Sequence, residues 1–234
     1  MAINIDTLKT RALTALIFVA VMMAGLLWNE WSFIVLFTVI HFGCWYEFIK
    51  LLQKIDAQKY IGYSLLGIGY ITLPTLVMLC LRLCNIVVTE PGDAAGTIIH
   101  PLLIPIAIIF SIWINDTMAY LVGSVIGKTP FSKISPKKTW EGTAGGALLC
   151  VVTIALLGHY VPVAKTLAVK HWIAIAAICA VTGTAGDLLE SKIKRMADVK
   201  DSGSIMPGHG GFLDRFDSLL IATSFVGLYV YLFV

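Results

Sequence analysis

The sequence predicts an all-α, polytopic integral membrane protein of about seven transmembrane helices, within a range of about six to nine. Three observations carry that prediction. Hydrophobic residues make up 58% of the 234, charged residues only 13%, and mean hydropathy is +0.87, a balance foreign to water-soluble domains of this length. Apolar runs long enough to cross a bilayer recur from one end of the chain to the other. Basic residues collect in the intervals between alternate runs.

At about 20 apolar residues per crossing, spans fall at 11–28, 31–51, 61–82, 97–127, 142–161, 171–189 and 211–234. The first apolar run, Ala12 to Trp28, is read as a retained helix of a mature chain rather than a cleaved signal. No small-residue cleavage site follows it, and Asn29, Glu30 and Trp31 lead directly into the next span. The fourth run would make a helix of about 46 Å, too long for one upright crossing and short for two. Charge placement decides the matter. The amino terminus (Lys9, Arg11), the loop with Lys50, Lys54 and Lys59, the loop Lys128 to Lys138 and the stretch Lys192 to Arg215 together hold 14 of the 17 Lys and Arg residues. Placing all four inside requires an odd number of crossings between residues 97 and 127. That run is therefore expected to be one long, bent or partly re-entrant element with Pro101 and Pro105 near its start. Glu90 and Asp93 then fall outside, as do Lys165 and Lys170, a weak exception. The arrangement is seven crossings, amino terminus inside and carboxyl terminus outside.

The organisation expected is an amino-terminal scaffold of lipid-facing helices, 1–96, and a catalytic membrane region, 97–234, with cytoplasmic loops 128–141 and 190–213. There is no internal repeat and no soluble domain. Five cysteines, Cys44, Cys80, Cys84, Cys150 and Cys179, lie in or beside apolar segments without CxxC spacing, and read as buried free thiols.

Ionisable residues in or bordering membrane segments are functional candidates by default, and three clusters share one side. Asp116 sits within the fourth run, followed by Gly123, Gly127 and four lysines that include Lys137 and Lys138. The lysines could equally obey the positive-inside rule alone. Asp187, Glu190, Ser191 and Lys194 are spaced to line one helical face. Such a face is ordinarily solvated and stitched by i,i+4 pairs; Asp187, at the membrane boundary, is the exception. The third cluster is KDSGSIMPGHGGFLDRFD, Lys200 to Asp217. Asp214 and Asp217 lie one turn apart at a helix start, where the macrodipole favours one acid but does not explain the glycine turn before them or Arg215 between them.

Acids converging from two helix ends among glycines, lysines and arginines suit metal-assisted phosphoryl or nucleotidyl transfer. Clustered carboxylates would repel a phosphate unless hard divalent cations bridged them. Glycine turns let backbone N–H groups approach phosphate oxygens, and cations offset charge on a leaving diphosphate.

The run Ser191-Lys-Ile-Lys-Arg195, then Lys200-Asp201, Pro207-Gly-His-Gly-Gly211 and Asp214-Arg-Phe-Asp217 resembles the carboxyl-terminal signature of CDP-diacylglycerol synthase, or phosphatidate cytidylyltransferase. Two further blocks agree: Trp113-x-x-Asp116-Thr-x-Ala-Tyr120 with Ser135-Pro-Lys-Lys-Thr139 and Glu141-Gly142, and Gly186-Asp187-Leu with Glu190-Ser191. The resemblance is strong over residues 113–217; residues 1–112 match only as membrane spans. It implies a membrane-embedded enzyme of the cytoplasmic (inner) membrane, active site facing the cytoplasm, that converts CTP and phosphatidate to CDP-diacylglycerol and pyrophosphate. It further implies Mg²⁺, with K⁺ beside it, held by Asp187, Asp214 and Asp217. Lys200 and Asp201 complete the expected catalytic group. Substrate phosphates are expected at Lys137, Lys138, Ser191, Lys194, Arg195, His209, Gly210, Gly211 and Arg215, with Asp116 also on the substrate. Expected partners are CTP, phosphatidate and the lipid bilayer, with room for a homodimer; no nucleic acid is expected.

The nearest alternatives are a CTP-dependent lipid or polyisoprenoid kinase, which would transfer the γ-phosphate, and a cytidylyltransferase for an ether-linked phosphatidate analogue. From another class, an ion-coupled membrane transporter would distribute acids near the midplane along a path between both faces. Here they gather at one side.

Overall fold

A computed structural model describes residues 5–88, 96–205 and 210–234. The side chains of Lys9 and Arg11, together with Glu90, Asp93 and His209, lie outside the described residues. The expected spans form as helices: α1 (Ile5–Leu27), α2 (Glu30–Ile55), a segment Tyr60–Leu83, α5 (Leu103–Ile126), α6 (Trp140–Tyr160), α7 (Val169–Met196) and α8 (Leu213–Phe233). The third segment is composite, with α3 (Tyr60–Ser64), a π-helical turn (Ile68–Thr72) and α4 (Leu73–Leu83). Among the described residues, 6 helices have the length and composition to cross a membrane, and Leu13–Leu27 is a shorter apolar helix. The protein is a nearly all-α polytopic membrane protein.

The 97–127 run departs from expectation, being neither overlong nor re-entrant. Thr97 and Ile98 form a short strand, β2, paired antiparallel with β1 (Val87–Val88). Helix α5 begins only at Leu103 and runs 24 residues, about 36 Å at 1.5 Å per residue. Pro101 precedes it and Pro105 sits in its first turn, where a missing N–H leaves no intrahelical bond unmade. Hydropathy alone merged an apolar hairpin arm with the helix behind it.

The chain divides into two compact units, residues 1–75 with 190–217, and residues 76–189 with 218–234. In the first, Asn29 opens α2 with a reciprocal capping box, its Oδ1 accepting from the Ser32 N–H at 2.8 Å while Ser32 Oγ accepts from the Asn29 N–H at 3.0 Å. Phe33, Phe37, Ile40, Cys44, Phe48 and Leu51 form the buried stripe of this helix. The π turn places Thr72 Oγ1 where it accepts from Trp45 Nε1 at 3.0 Å.

In the second unit α5 and α6 pack so closely that backbone meets backbone. A Cβ on Gly146 would stand 2.7 Å from the Asn115 carbonyl oxygen, and one on Gly142 the same distance from that of Ala119. Small residues spaced four apart on facing helices are the usual device for such approach in a membrane. Cys44, Cys150 and Cys179 are buried as expected, but Cys80 and Cys84 are exposed, with sulfurs 3.3 Å apart. Apolar flanking sequence marks a membrane helix without saying which of its faces the protein covers.

Candidate active site

The second unit contributes a cavity of about 480 Å³ whose lining includes Asn115, Asp116, Tyr120, Lys137, Lys138 and Asp187. The loop that carries its lysines is built by local bonds. Glu141, in the first turn of α6, accepts from the Lys128 N–H at 3.2 Å, the Thr129 N–H at 3.1 Å and Thr129 Oγ1 at 2.8 Å. The Phe131 N–H donates to the Lys138 carbonyl at 2.8 Å, and Thr139 Oγ1 caps α6 by accepting from the Gly142 N–H at 3.1 Å. Lys138, so placed, forms an ion pair with Asp187. Asp116 is exposed, and Asn115 Nδ2 donates to it at 3.4 Å. Asn115 itself is buried. Four sequence-predicted residues, Asp116, Lys137, Lys138 and Asp187, therefore line one cavity.

The first unit holds a polar constellation of its own. Glu190 is fully buried and Asp217 nearly so, at 0% and 8% exposure. Their carboxylates each offer an oxygen within 4.8 Å of the other. The expectation of a solvated Glu190–Lys194 face is corrected here, because the loop after α7 and the first turn of α8 cover it. Lys194 pairs with Glu190 and also donates to Asp214 Oδ1 at 2.6 Å, so one ammonium serves two acids. Asp214 Oδ2 accepts from the Ser202 N–H at 2.8 Å and the Gly211 N–H at 2.8 Å, and lies 2.9 Å from Ser202 Oγ. Both oxygens of Asp214 are thus engaged by the chain itself, while Asp217, one turn on, stands with Glu190. Asp187 lies one turn before Glu190 on α7, a spacing that puts both on one face of that helix.

The other sequence-predicted residues are distributed as follows. Ser191 is buried in the last turns of α7, and Arg195 Nη1 donates to the Val199 carbonyl of the following loop at 3.1 Å. Lys200, Asp201 and Arg215 are exposed. Gly210 has φ of +86°, a left-handed conformation that glycine adopts without penalty.

Two acids of the constellation escaped the sequence reading. Sequence spacing places Glu190 on a solvated face, although its one-turn offset from Asp187 is the available signal. Glu47 belongs to none of the three clusters. It is 1% exposed within α2, and accepts from Ser202 Oγ at 2.7 Å, the Phe212 N–H at 3.0 Å and the Leu213 N–H at 2.9 Å. Its signal was a lone carboxylate inside an apolar span, flanked by Trp45, Tyr46 and Phe48.

Helices long and apolar enough to cross a membrane, carrying buried carboxylates, one ammonium shared by two acids and a lysine-lined cavity, define a polytopic membrane protein. Comparison with known proteins is specific. Residues 86–233 match the cytidylyltransferase family model. Phosphatidate cytidylyltransferase of Rickettsia typhi is 30% identical over 228 residues, 95% of this chain and 92% of that protein. Phosphatidate cytidylyltransferase of Bacillus subtilis (strain 168) is 45% identical over 125 residues, 52% of this chain and 45% of that protein. Phosphatidate cytidylyltransferase 4, chloroplastic, of Arabidopsis thaliana is 45% identical over 120 residues, 51% of this chain but 29% of that protein. The match thus spans less than half the length of the last two. The chain belongs to the cytidylyltransferase family.

Proposed function

We propose that the chain catalyses transfer of the cytidylyl group of CTP to phosphatidate, giving CDP-diacylglycerol and pyrophosphate for phospholipid biosynthesis. The observation that carries the reading is the buried Glu190–Asp217 carboxylate pair beside Lys194, in a chain of this family. In the proposed step a phosphatidate phosphate oxygen attacks the α-phosphorus of CTP. The new P–O bond forms as the α–β bridging bond breaks, and pyrophosphate leaves with that electron pair. The nucleophile is already an anion, so positioning and charge neutralisation supply the acceleration.

The donor set fits Mg²⁺. Its groups are hard carboxylate oxygens, those of Glu190 are buried with the Lys194 ammonium against one of them, and Lys194 divides its charge between Glu190 and Asp214. Asp217 and Glu190 would hold the ion together with Asp187, one turn upstream on α7; K⁺ is proposed beside it. When bound, Mg²⁺ supplies charge neutralisation on the reacting phosphates. Asp214, engaged by Lys194, Ser202 and Gly211, orients Lys194 rather than acting as the first metal ligand. Lys137 and Lys138 would hold nucleotide phosphates at the cavity, with Asp187 keeping the Lys138 ammonium in place until substrate competes for it. Lys200, Arg195 and Arg215, all exposed, would contact substrate phosphates, with Asp201 a further metal ligand or supporting group. His209 would donate to a substrate phosphate or to pyrophosphate. The lipid would enter from the cytoplasmic leaflet of the inner membrane while CTP arrives from water.

The test is product analysis with purified protein, Mg²⁺, phosphatidate and CTP labelled at the α or the γ position. The α label should enter lipid and the γ label should leave as pyrophosphate. Appearance of γ label in lipid would establish a kinase and refute the proposal.

A further inference from the structure

We propose that Glu47 is a positioning residue for this transfer, an acid lent by α2 that holds the first turn of α8 and the loop before it in working register. The inference rests on the cytidylyl-transfer reading above. A carboxylate in the middle of a membrane helix is costly unless every lone pair is used, and the partners of Glu47 are specific. The first N–H groups of a helix have no carbonyl one turn back to receive them. In α8 the Phe212 and Leu213 N–H groups close on Glu47 across separations of 165 and 166 residues. The next, Asp214 N–H, points to Ser202 Oγ at 3.3 Å. Glu47 and Ser202 together act as an N-cap supplied from elsewhere in the chain, with an acid at the positive end of the helix dipole.

The same contacts reach the site. Ser202 Oγ lies 2.7 Å from Glu47 Oε2 and 2.9 Å from Asp214 Oδ2, and Asp214 continues to Lys194 and Glu190. The loop is wrapped tightly on this carboxylate. A Cβ on Gly203 or on Gly211 would fall onto the Glu47 carboxyl group. Rotation of the first turn of α8 would carry Asp217 away from Glu190. Glu47 fixes that rotation without itself touching the reacting groups.

The experiment uses the full chain in detergent with Glu47→Gln, which keeps the shape but turns an N–H₂ toward donors. Hydrogen exchange in the 211–214 segment should accelerate about tenfold or more, as expected when buried donors lose an acceptor. CDP-lipid formation should show kcat lowered about a hundredfold, the scale of an ångström-sized misplacement, with the Mg²⁺ concentration for half-maximal activity raised. KM for CTP at saturating Mg²⁺ should stay near the wild-type value. Ser202→Ala should shift the Mg²⁺ dependence in the same direction, and the double variant should be less than additive. Should Glu47→Gln fail to fold, Ser202→Ala carries the same measurements. Wild-type exchange at 211–214 in the variant overturns the proposal. So does a kcat that falls only with the folded fraction while Mg²⁺ dependence is unchanged. A wild-type protein that makes no CDP-lipid refutes the cytidylyl-transfer reading instead, and exchange then decides by itself whether Glu47 holds the turn.

Discussion

Replacing Lys194 by Met removes the cation that Glu190 and Asp214 share and leaves its methylene stem in place. The Lys194 side chain is 12% exposed, Glu190 0% and Asp214 9%, so solvent cannot take over the lost pairing. Removing one partner of a buried ion pair costs about 3–5 kcal/mol, because the remaining charge stays desolvated. For a chain of this size that corresponds to a fall in Tm on the order of 10 °C, readable by thermal melting in detergent. Neutralising an acid as well should recover part of the loss: Lys194→Met with Glu190→Gln leaves fewer unmatched charges, and the coupling between the two changes should be about 0.5–3 kcal/mol. Divalent cation gives an independent axis. If Mg²⁺ binds among these acids, saturating Mg²⁺ at about 100 times its Kd should return about 2.7 kcal/mol, and should do so in Lys194→Met but not in Asp217→Asn. An unchanged Tm in Lys194→Met, or strict additivity with Glu190→Gln, would refute the buried, shared ion pair.

Four further outcomes follow from other parts of the molecule. Asp187→Asn and Asp217→Asn should each lower CDP-lipid formation at least about a hundredfold with folded protein retained, and unequal, small losses would argue against a common metal. Gly146→Leu should destabilise by at least about 1–3 kcal/mol through overpacking, seen as a lower Tm, because its Cβ alone stands 2.7 Å from the Asn115 carbonyl oxygen. Glu141→Gln should loosen the lysine loop by weakening its bonds to Thr129 and Lys128, raising KM for CTP more than it lowers kcat. In native protein a maleimide should label Cys80 and Cys84, with Cys44, Cys150 and Cys179 reacting only after denaturation. Labelling of Cys84 by a membrane-impermeant reagent from outside would support the proposed orientation, whereas labelling only after permeabilisation would reverse it.

What the sequence made legible depended on range. Spans emerge from hydropathy because a bilayer imposes one length on every helix, and the Asp187–Lys194 spacing and Asp214–Asp217 turn are visible because each is written within a few residues. The fate of Asp214 was not. Its partners Lys194, Ser202 and Gly211 come from both ends of a loop, and no local spacing says that this acid is consumed internally while Asp217 joins Glu190. Glu47 was harder still, since its partners Phe212 and Leu213 lie 165 and 166 residues away. Only the cost of a lone carboxylate in an apolar span pointed to it. The hairpin arm Thr97–Ile98 failed for the opposite reason: an apolar strand and an apolar helix look alike until their hydrogen bonds are known.

The glycine-rich turn before α8 changes meaning once its donors are counted. A helix N-terminus is a natural anion site because its first amides lack partners, and the sequence alone invites phosphate there. Here the Gly211 N–H goes to Asp214, those of Phe212 and Leu213 go to Glu47, and that of Asp214 goes to Ser202. The anion at this N-terminus is already supplied by the protein. A phosphate would have to displace a carboxylate that is 1% exposed and fixed by three donors, so side chains rather than these amides are the groups proposed for substrate. Backbone donors of the 211–214 turn then serve to aim Asp217, and a Cβ at 203 or 211 would meet the Glu47 carboxyl group.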